Sequence, residues 1–293
     1  MTNKFAIVVD SISDIPEELK KKFNIPIVHA KVIIGEKEYL DRVGITREEF
    51  LSQLIHSKEK ITSTQPSPMD FDIVFKKALE KYDHVLSLSV SSKLSASYQN
   101  SVITAKRIGK DRITCIDTLS VTHGITLMAN HAALRREQGM ELSELLEEIK
   151  QMIDSQKFFF LVNELKYLQR GGRIGKAKSL IGTLLNKKPL LTLEEGAIDA
   201  LKSVKGSEAG YEEMVKLVSE YADKYKNFVL AGAYGLDNPD FEKLAQSVKT
   251  NIKPLNYVYA PIGPGVLCHV GPNVEAFIIT KIPESSKELY QNI

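Results

Sequence analysis

The 293-residue sequence has no tryptophan, two cysteines and almost no surplus of charge. Cys115 and Cys268 alone make neither a disulfide framework nor a metal quartet. The 39 Lys and Arg set against 37 Asp and Glu leave a charge of +2, which argues against a surface built to neutralise nucleic-acid phosphates. Long hydrophobic runs are missing too. Phe158 to Val162 is among the longest and falls far short of the ~20 apolar residues of a membrane-spanning helix. Met1 to Lys4 lead into Phe5 to Val9, a run too short for a signal-peptide core that stops at Asp10. The phosphate-cradling loops G-x-x-x-x-G-K-[ST] and G-x-G-x-x-G are absent, as is the nucleophile elbow G-x-S-x-G. His-x-x-x-His pairs and Cys/His clusters are absent as well, so no metal site is expected. What is left is a cytoplasmic, non-membrane chain with an ordinary 43% of hydrophobic residues, long enough for about two domains at roughly 150 residues each.

The apolar patterning divides that length. Phe5 to Asp10 is a short apolar run closed by polar residues, as expected of a strand buried on both faces of a parallel sheet. Ile25 to Val28, Val32 to Ile34, Val85 to Val90 and Ile113 to Asp117 read as further strands. Helices are expected after the capping box Thr46 to Glu49, after Ser67-Pro68, over Leu94 to Arg107, and over Thr122 to Gln138 and Leu142 to Ile153. This alternation predicts a doubly wound α/β domain over 1–156. Beyond it, strands at Phe158 to Val162, Phe228 to Tyr234, Tyr257 to Ala260 and Glu275 to Thr280 join a hairpin around Glu194-Glu195-Gly196. Helices at Glu164 to Gln169, Ser207 to Tyr225 and Pro239 to Lys249 complete an α+β domain over 157–293. No Gly/Ser/Pro linker separates the two, so they should pack closely.

Hydroxyls gather where strands end. Asp10 to Asp14, Ser91 to Ser95 and Asp117 to Ser120 each follow a strand, and Thr62 to Gln65 precede the Ser67-Pro68 helix. Ligands of open α/β sheets bind outside the carboxyl ends of strands. Any one such cluster is simply a helix cap, but several on one sheet edge point to a polar site. His29, His56 and His84 have ordinary contexts, and His123 and His131 sit on the helix after Asp117. His269 lies in the Gly- and Pro-rich stretch Pro261 to Pro272, where a loop histidine can orient a hydroxyl or donate to an anion. Arg170, Arg173 and Lys176 flank Gly171-Gly172 in a small positive patch suited to phosphate or an acidic partner. Three chemistries follow from these residues: an anion-gripping carrier, an acyl hydrolase or transferase using Ser95 or Ser92 with His269, and phosphoryl transfer on Asp10.

Five segments in order resemble the DegV family of bacterial fatty-acid-binding proteins, which includes the subunits serving fatty acid kinase. They are Asp10-Ser11 with Asp14, Ser63 to Pro68 (T-S-Q-P-S-P in the family), Ser91 to Gln99 (S-S-x-L-S-G-T-Y-Q), Tyr167 to Ile174 (Y-L-x-x-G-G-R-I) and His269 to Pro272 (H-x-G-P-G). The resemblance implies two α/β domains with a lipid between them. It implies a carboxylate held at Ser63 and Ser95 with His269 nearby, flanked by Thr64 and Ser92, and no catalytic residue, metal or cofactor in this chain. It implies a kinase partner that supplies ATP and meets Arg170, Arg173 and Lys205, and it allows transient membrane contact. Ser63 replaces the family threonine and keeps its hydroxyl, while Ala96 and Asn273 replace glycines. Lys205 stands where relatives carry arginine, a point charge in place of a planar fork.

Overall fold

The computed structural model describes residues 5–182 and 186–290. Met1 to Lys4, read above for a leader, lie outside them. In chain order the first half runs β1 (Phe5–Asp10), α1 (Glu17–Phe23), β2 (Ile27–Val28), β3 (Lys31–Ile34), β4 (Lys37–Leu40), α2 (Arg47–His56), β5 (Ile61–Thr64), α3 (Pro68–Leu79), β6 (His84–Ser89), α4 (Ser97–Ile108), β7 (Ile113–Asp117), α5 (His123–Glu137) and α6 (Leu142–Ser155). The second half runs β8 (Lys157–Val162), α7 (Lys166–Arg170), β9 (Lys188–Glu194), β10 (Ala197–Val204), α8 (Gly206–Lys224), β11 (Phe228–Tyr234), α9 (Pro239–Ile252), β12 (Asn256–Pro261), α10 (Pro264–Val270) and β13 (Val274–Lys281).

The fold is the expected α/β arrangement, with a parallel sheet in the N-terminal region and a mixed sheet in the C-terminal region. The parallel sheet has the order β2-β1-β6-β7. All six residues of β1 are buried, which explains the unbroken apolar run. The second sheet has the order β10-β9-β8-β13-β11-β12, antiparallel except for the β11/β12 pair. Along β8 the side chains alternate between two cores. Phe158, Phe160 and Val162 face the centre of the molecule, whereas Phe159 and Leu161 pack under α8 and α9.

Helix α5 joins the two sheets, touching β1 and β6 on one side and β11 and β13 on the other. Fourteen of its fifteen residues are buried, so it lacks an apolar stripe and is sequestered all round. A short helical turn, Glu284–Tyr290, returns to its flank. There Tyr290 and Ser286 meet His131 and Arg135, both also bonded to Glu148. His131 is therefore a structural residue.

Two strands go unassigned in the sequence reading, and two local expectations need correction. Lys37–Leu40 and Ile61–Thr64 are strands, completing a three-stranded antiparallel sheet β4-β3-β5, so Ser63 and Thr64 lie on a strand. Helix α4 starts at Ser97, not Leu94, and Ser95 precedes it, accepting a hydrogen bond from the Ser97 N–H. His269 lies in helix α10, not in a loop: Gly263 is its N-cap and Pro264 its first residue, the position where proline costs no hydrogen bond.

Candidate functional site

A cavity, partly open to solvent, lies between the carboxyl edge of the parallel sheet, strand β5, helix α10 and the inner face of the mixed sheet. Its wall is largely hydrocarbon: Ile12, Val90, Leu94 and Val121 from the first half, and Phe158, Phe160, Leu168, Leu193, Ile198, Val266, Val274 and Ala276 from the second. Polar groups enter chiefly from Ser63, Thr64, Gln65, Ser95, Thr122, His269 and Arg173.

Ser63 and His269, 206 positions apart, are joined by a 2.7 Å hydrogen bond between Ser63 Oγ and His269 Nε2. The other ring nitrogen, Nδ1, is buried without a hydrogen-bond partner and rests against Gly171. A Cβ at Gly171 would stand 2.2 Å from Nδ1, so only glycine leaves room for the ring. Burial, aided by the Arg173 guanidinium, pushes the His269 pKa down to about 4. The imidazole is therefore neutral near pH 7. Arg173 is held by its own backbone contacts, with Nε donating to the Leu94 carbonyl at 2.9 Å and Nη1 to the Gly171 carbonyl. Of the five guanidinium N–H donors these bonds use two, which leaves both hydrogens of Nη2 and one of Nη1 for a further acceptor.

Helix α10 is set in place by two distant carboxylates. Asp14 accepts from the Gly263 N–H and Asp41 from the Gly265 N–H, each at 3.0 Å. These donors belong to the first turn of α10, where helical N–H groups lack internal partners and the dipole favours negative charge. Neither glycine has room for a side chain. A Cβ on Gly263 would meet Asp14 Oδ1 at 2.4 Å, and one on Gly265 would meet Ile12 Cδ1 at 2.6 Å. Burial raises the Asp14 carboxyl to about 7 and raises Asp41 as well.

Several hydroxyls in and beside these clusters prove to be braces. Ser11 Oγ donates to Asp41, Ser97 Oγ to Asp10, Thr122 Oγ1 to Asp14, Ser120 Oγ to Gln156 and Ser91 Oγ to the Gly196 carbonyl. These loops reach the cavity mainly through their apolar members. Ser92 is not among the lining residues, and its N–H donates to Asp117. Asp10, raised to about 6 by burial, is wholly enclosed and bonded to Ser97 and the Val90 N–H, a poor position for phosphoryl transfer. Arg170 is exposed beside Tyr167, and Lys205 is exposed at the start of α8. Arg173 is thus the one member of the basic group that lines the cavity. Gln65, which closes the Thr62 to Gln65 cluster but is not among the expected site residues, is also a wall residue. His123 is buried, bonded to the Ala260 carbonyl at 3.0 Å and lowered to about 4 by burial.

Ser63 and His269 have the reach of a nucleophile and its base, but a triad requires a third group orienting the imidazole. Here Nδ1 faces Gly171. Among the described residues, no group of three or more His, Cys, Asp or Glu is placed to hold a metal ion. No described helix is long and apolar enough to cross a membrane.

Comparison with known proteins gives the family and the fold. Residues 4–281 match the model of a family described as uncharacterised proteins of the DegV family. A DegV domain-containing protein of Caldanaerobacter subterraneus is 31% identical over 274 residues, covering 92% of this chain and 96% of the relative. A Thermus thermophilus structure, described as fatty acid binding of a DegV family protein, superposes with a TM-score of 0.91 at 32% identity, over 95% of this chain and all of the other. A Thermotoga maritima structure described as revealing fatty acid binding function gives a TM-score of 0.82 at 25% identity, over 95% and 99% of the two chains.

Proposed function

The chain belongs to the DegV family, and from that premise we propose that it binds a long-chain fatty acid, its acyl chain in the apolar cavity and its carboxylate at Ser63, Ser95, Thr64, His269 and Arg173. The observation that carries this reading is the cavity itself, walled mainly by hydrocarbon with a hydroxyl–imidazole pair and one guanidinium among its few polar groups. Burying an acyl chain gains about 0.8 kcal/mol per methylene. A carboxylate buried without partners would forfeit much of that gain. The neutral imidazole answers the difficulty. In the tautomer with hydrogen on Nε2, it donates to Ser63 Oγ, and the Ser63 hydroxyl hydrogen is then directed to the carboxylate. Arg173 supplies the opposite charge, and charge-assisted bonds of this kind are the strong ones.

Following the family resemblance, residues 1–156 and 157–293 act as two walls closing on the lipid. The protein presents the carboxylate to a fatty acid kinase that carries the ATP and metal, then holds the acyl-phosphate. Arg170 and Lys205, both exposed, are the positions proposed to meet that partner. The chain itself contributes binding and no catalytic step, acting in the cytoplasm. Titrating lipid-stripped protein with oleate and palmitate tests the reading. Saturable uptake is expected, and failure to take up either acid overturns it. Turnover of a chromogenic acyl ester, lost in His269→Ala, would instead establish a hydrolase.

A further inference from the structure

A second, polar pocket, open to solvent, adjoins the first and shares two of its wall residues, Phe158 and Leu193. The sheet register explains this. Strands β8 and β9 pair Phe160 with Leu191 and Leu161 with Leu190. Continuing that register sets Phe158 opposite Leu193, and Leu193 pairs in turn with Ile198 of β10. The three side chains form a row across three strands in the wall of the apolar cavity. The Phe158 ring is also pinned from the other side. Its Cζ rests on Gly124 of α5, where a Cβ would approach to 2.6 Å. Phe158 is 4% exposed and Leu193 6%, so the row is a closed partition and not a mouth.

The two sides of the partition differ in chemistry. Beyond it the lining includes Asp154, Gln156, Lys157, Glu194 and Glu195, with Lys157 and Glu194 paired at 3.2 Å. A hydrocarbon tail entering there would displace water from charged groups without replacing their hydrogen bonds, which is unfavourable.

We propose that Phe158, wedged between Gly124 and Leu193, closes the tail end of the cavity and sets the maximum length of the bound acyl chain. The limit has a steric part, the ring, and a chemical part, the polar cavity behind it. This inference rests on the fatty-acid reading and goes further, naming the residues that decide which acids fit.

The test is a series of saturated fatty acids of increasing length, titrated into lipid-stripped wild type, Phe158→Ala, Phe158→Leu and Leu193→Ala. Wild-type affinity should rise by about fourfold for each methylene taken in, then fall once the chain exceeds the partition. Phe158→Ala should move that limit to longer acids, and Phe158→Leu and Leu193→Ala should move it less. The two milder variants keep the test decisive where Phe158→Ala fails to fold. A limit at the same length in wild type and in every folded variant overturns the inference while leaving the fatty-acid reading intact. Failure of wild type to bind any acid of the series overturns both.

Discussion

Gly171→Ala should disable the head-group end of the cavity without disturbing the backbone. Gly171 caps α7 with φ −74° and ψ −12°, a conformation open to any residue, so alanine meets no backbone penalty there. Its Cβ, however, would lie 2.2 Å from His269 Nδ1 and 3.1 Å from Cε1. The ring must turn away and give up its 2.7 Å bond to Ser63. If that pair directs a proton to the carboxylate, the variant loses a hydrogen bond to a charged group, about 1.5–3 kcal/mol. That corresponds to roughly a 10- to 150-fold rise in Kd. Gly172→Ala is the control. Gly172 has φ +71° and nothing within 4 Å of the point a Cβ would occupy, so alanine there is strained but clashes with nothing. It should lower stability by about 1–2 kcal/mol and leave affinity unchanged. Displacement of a fluorescent fatty acid from lipid-stripped protein, run beside urea unfolding, separates the two effects. Wild-type affinity in Gly171→Ala would refute the role assigned to His269.

Ser63→Ala combined with Ser95→Ala should weaken fatty-acid binding and abolish kinase-dependent phosphorylation of the bound acid, whereas unchanged values would put the carboxylate elsewhere. Gly265→Ala forces a methyl between Ile12 and Asp41 and should destabilise the fold by about 1–3 kcal/mol in denaturant unfolding. Asp14, raised by burial from 3.8 to about 7, keeps in the folded state a proton that the unfolded chain releases. Its stabilising contribution is full below about pH 3.8 and is lost as pH rises toward 7, so Asp14→Asn should flatten that part of the stability profile. The His269 ring, followed by NMR in lipid-free protein, should titrate near 4; a midpoint near 6.5 would contradict its burial beside Arg173.

What can be read from the sequence follows from how local each cause is. Strands β1, β8 and β11 announce themselves because burial on both faces demands a nearly unbroken apolar run. Strands β4 and β5 carry Lys37, Glu38, Thr62, Ser63 and Thr64, and exist by pairing with β3, so their own composition reads as loop. Helix α10 is hidden behind Gly263-Pro264-Gly265, which looks like a turn. Its first N–H groups are capped by Asp14 and Asp41, 249 and 224 positions away. Three of the four hydroxyl-bearing segments border the cavity, but the sequence cannot say which hydroxyls brace loops and which reach it. The grouping of Ser63, Ser95 and His269 comes from family resemblance and not from spacing, and Ser63 Oγ lies on His269. Arg173, expected at a partner surface, lies in the cavity wall because the turn at Gly171-Gly172 folds it back onto the Leu94 carbonyl.

Occupation of the apolar cavity by a fatty acid, with its carboxylate at Ser63, His269 and Arg173, is tested most directly by what the protein carries. Organic extraction of the protein purified from bacteria, followed by mass spectrometry of the extract, reads this out. A long-chain fatty acid bound near one per chain is expected, and its depletion in Ser63→Ala/Ser95→Ala. An extract without fatty acid, from protein that also fails to take up added oleate or palmitate, would contradict the assignment.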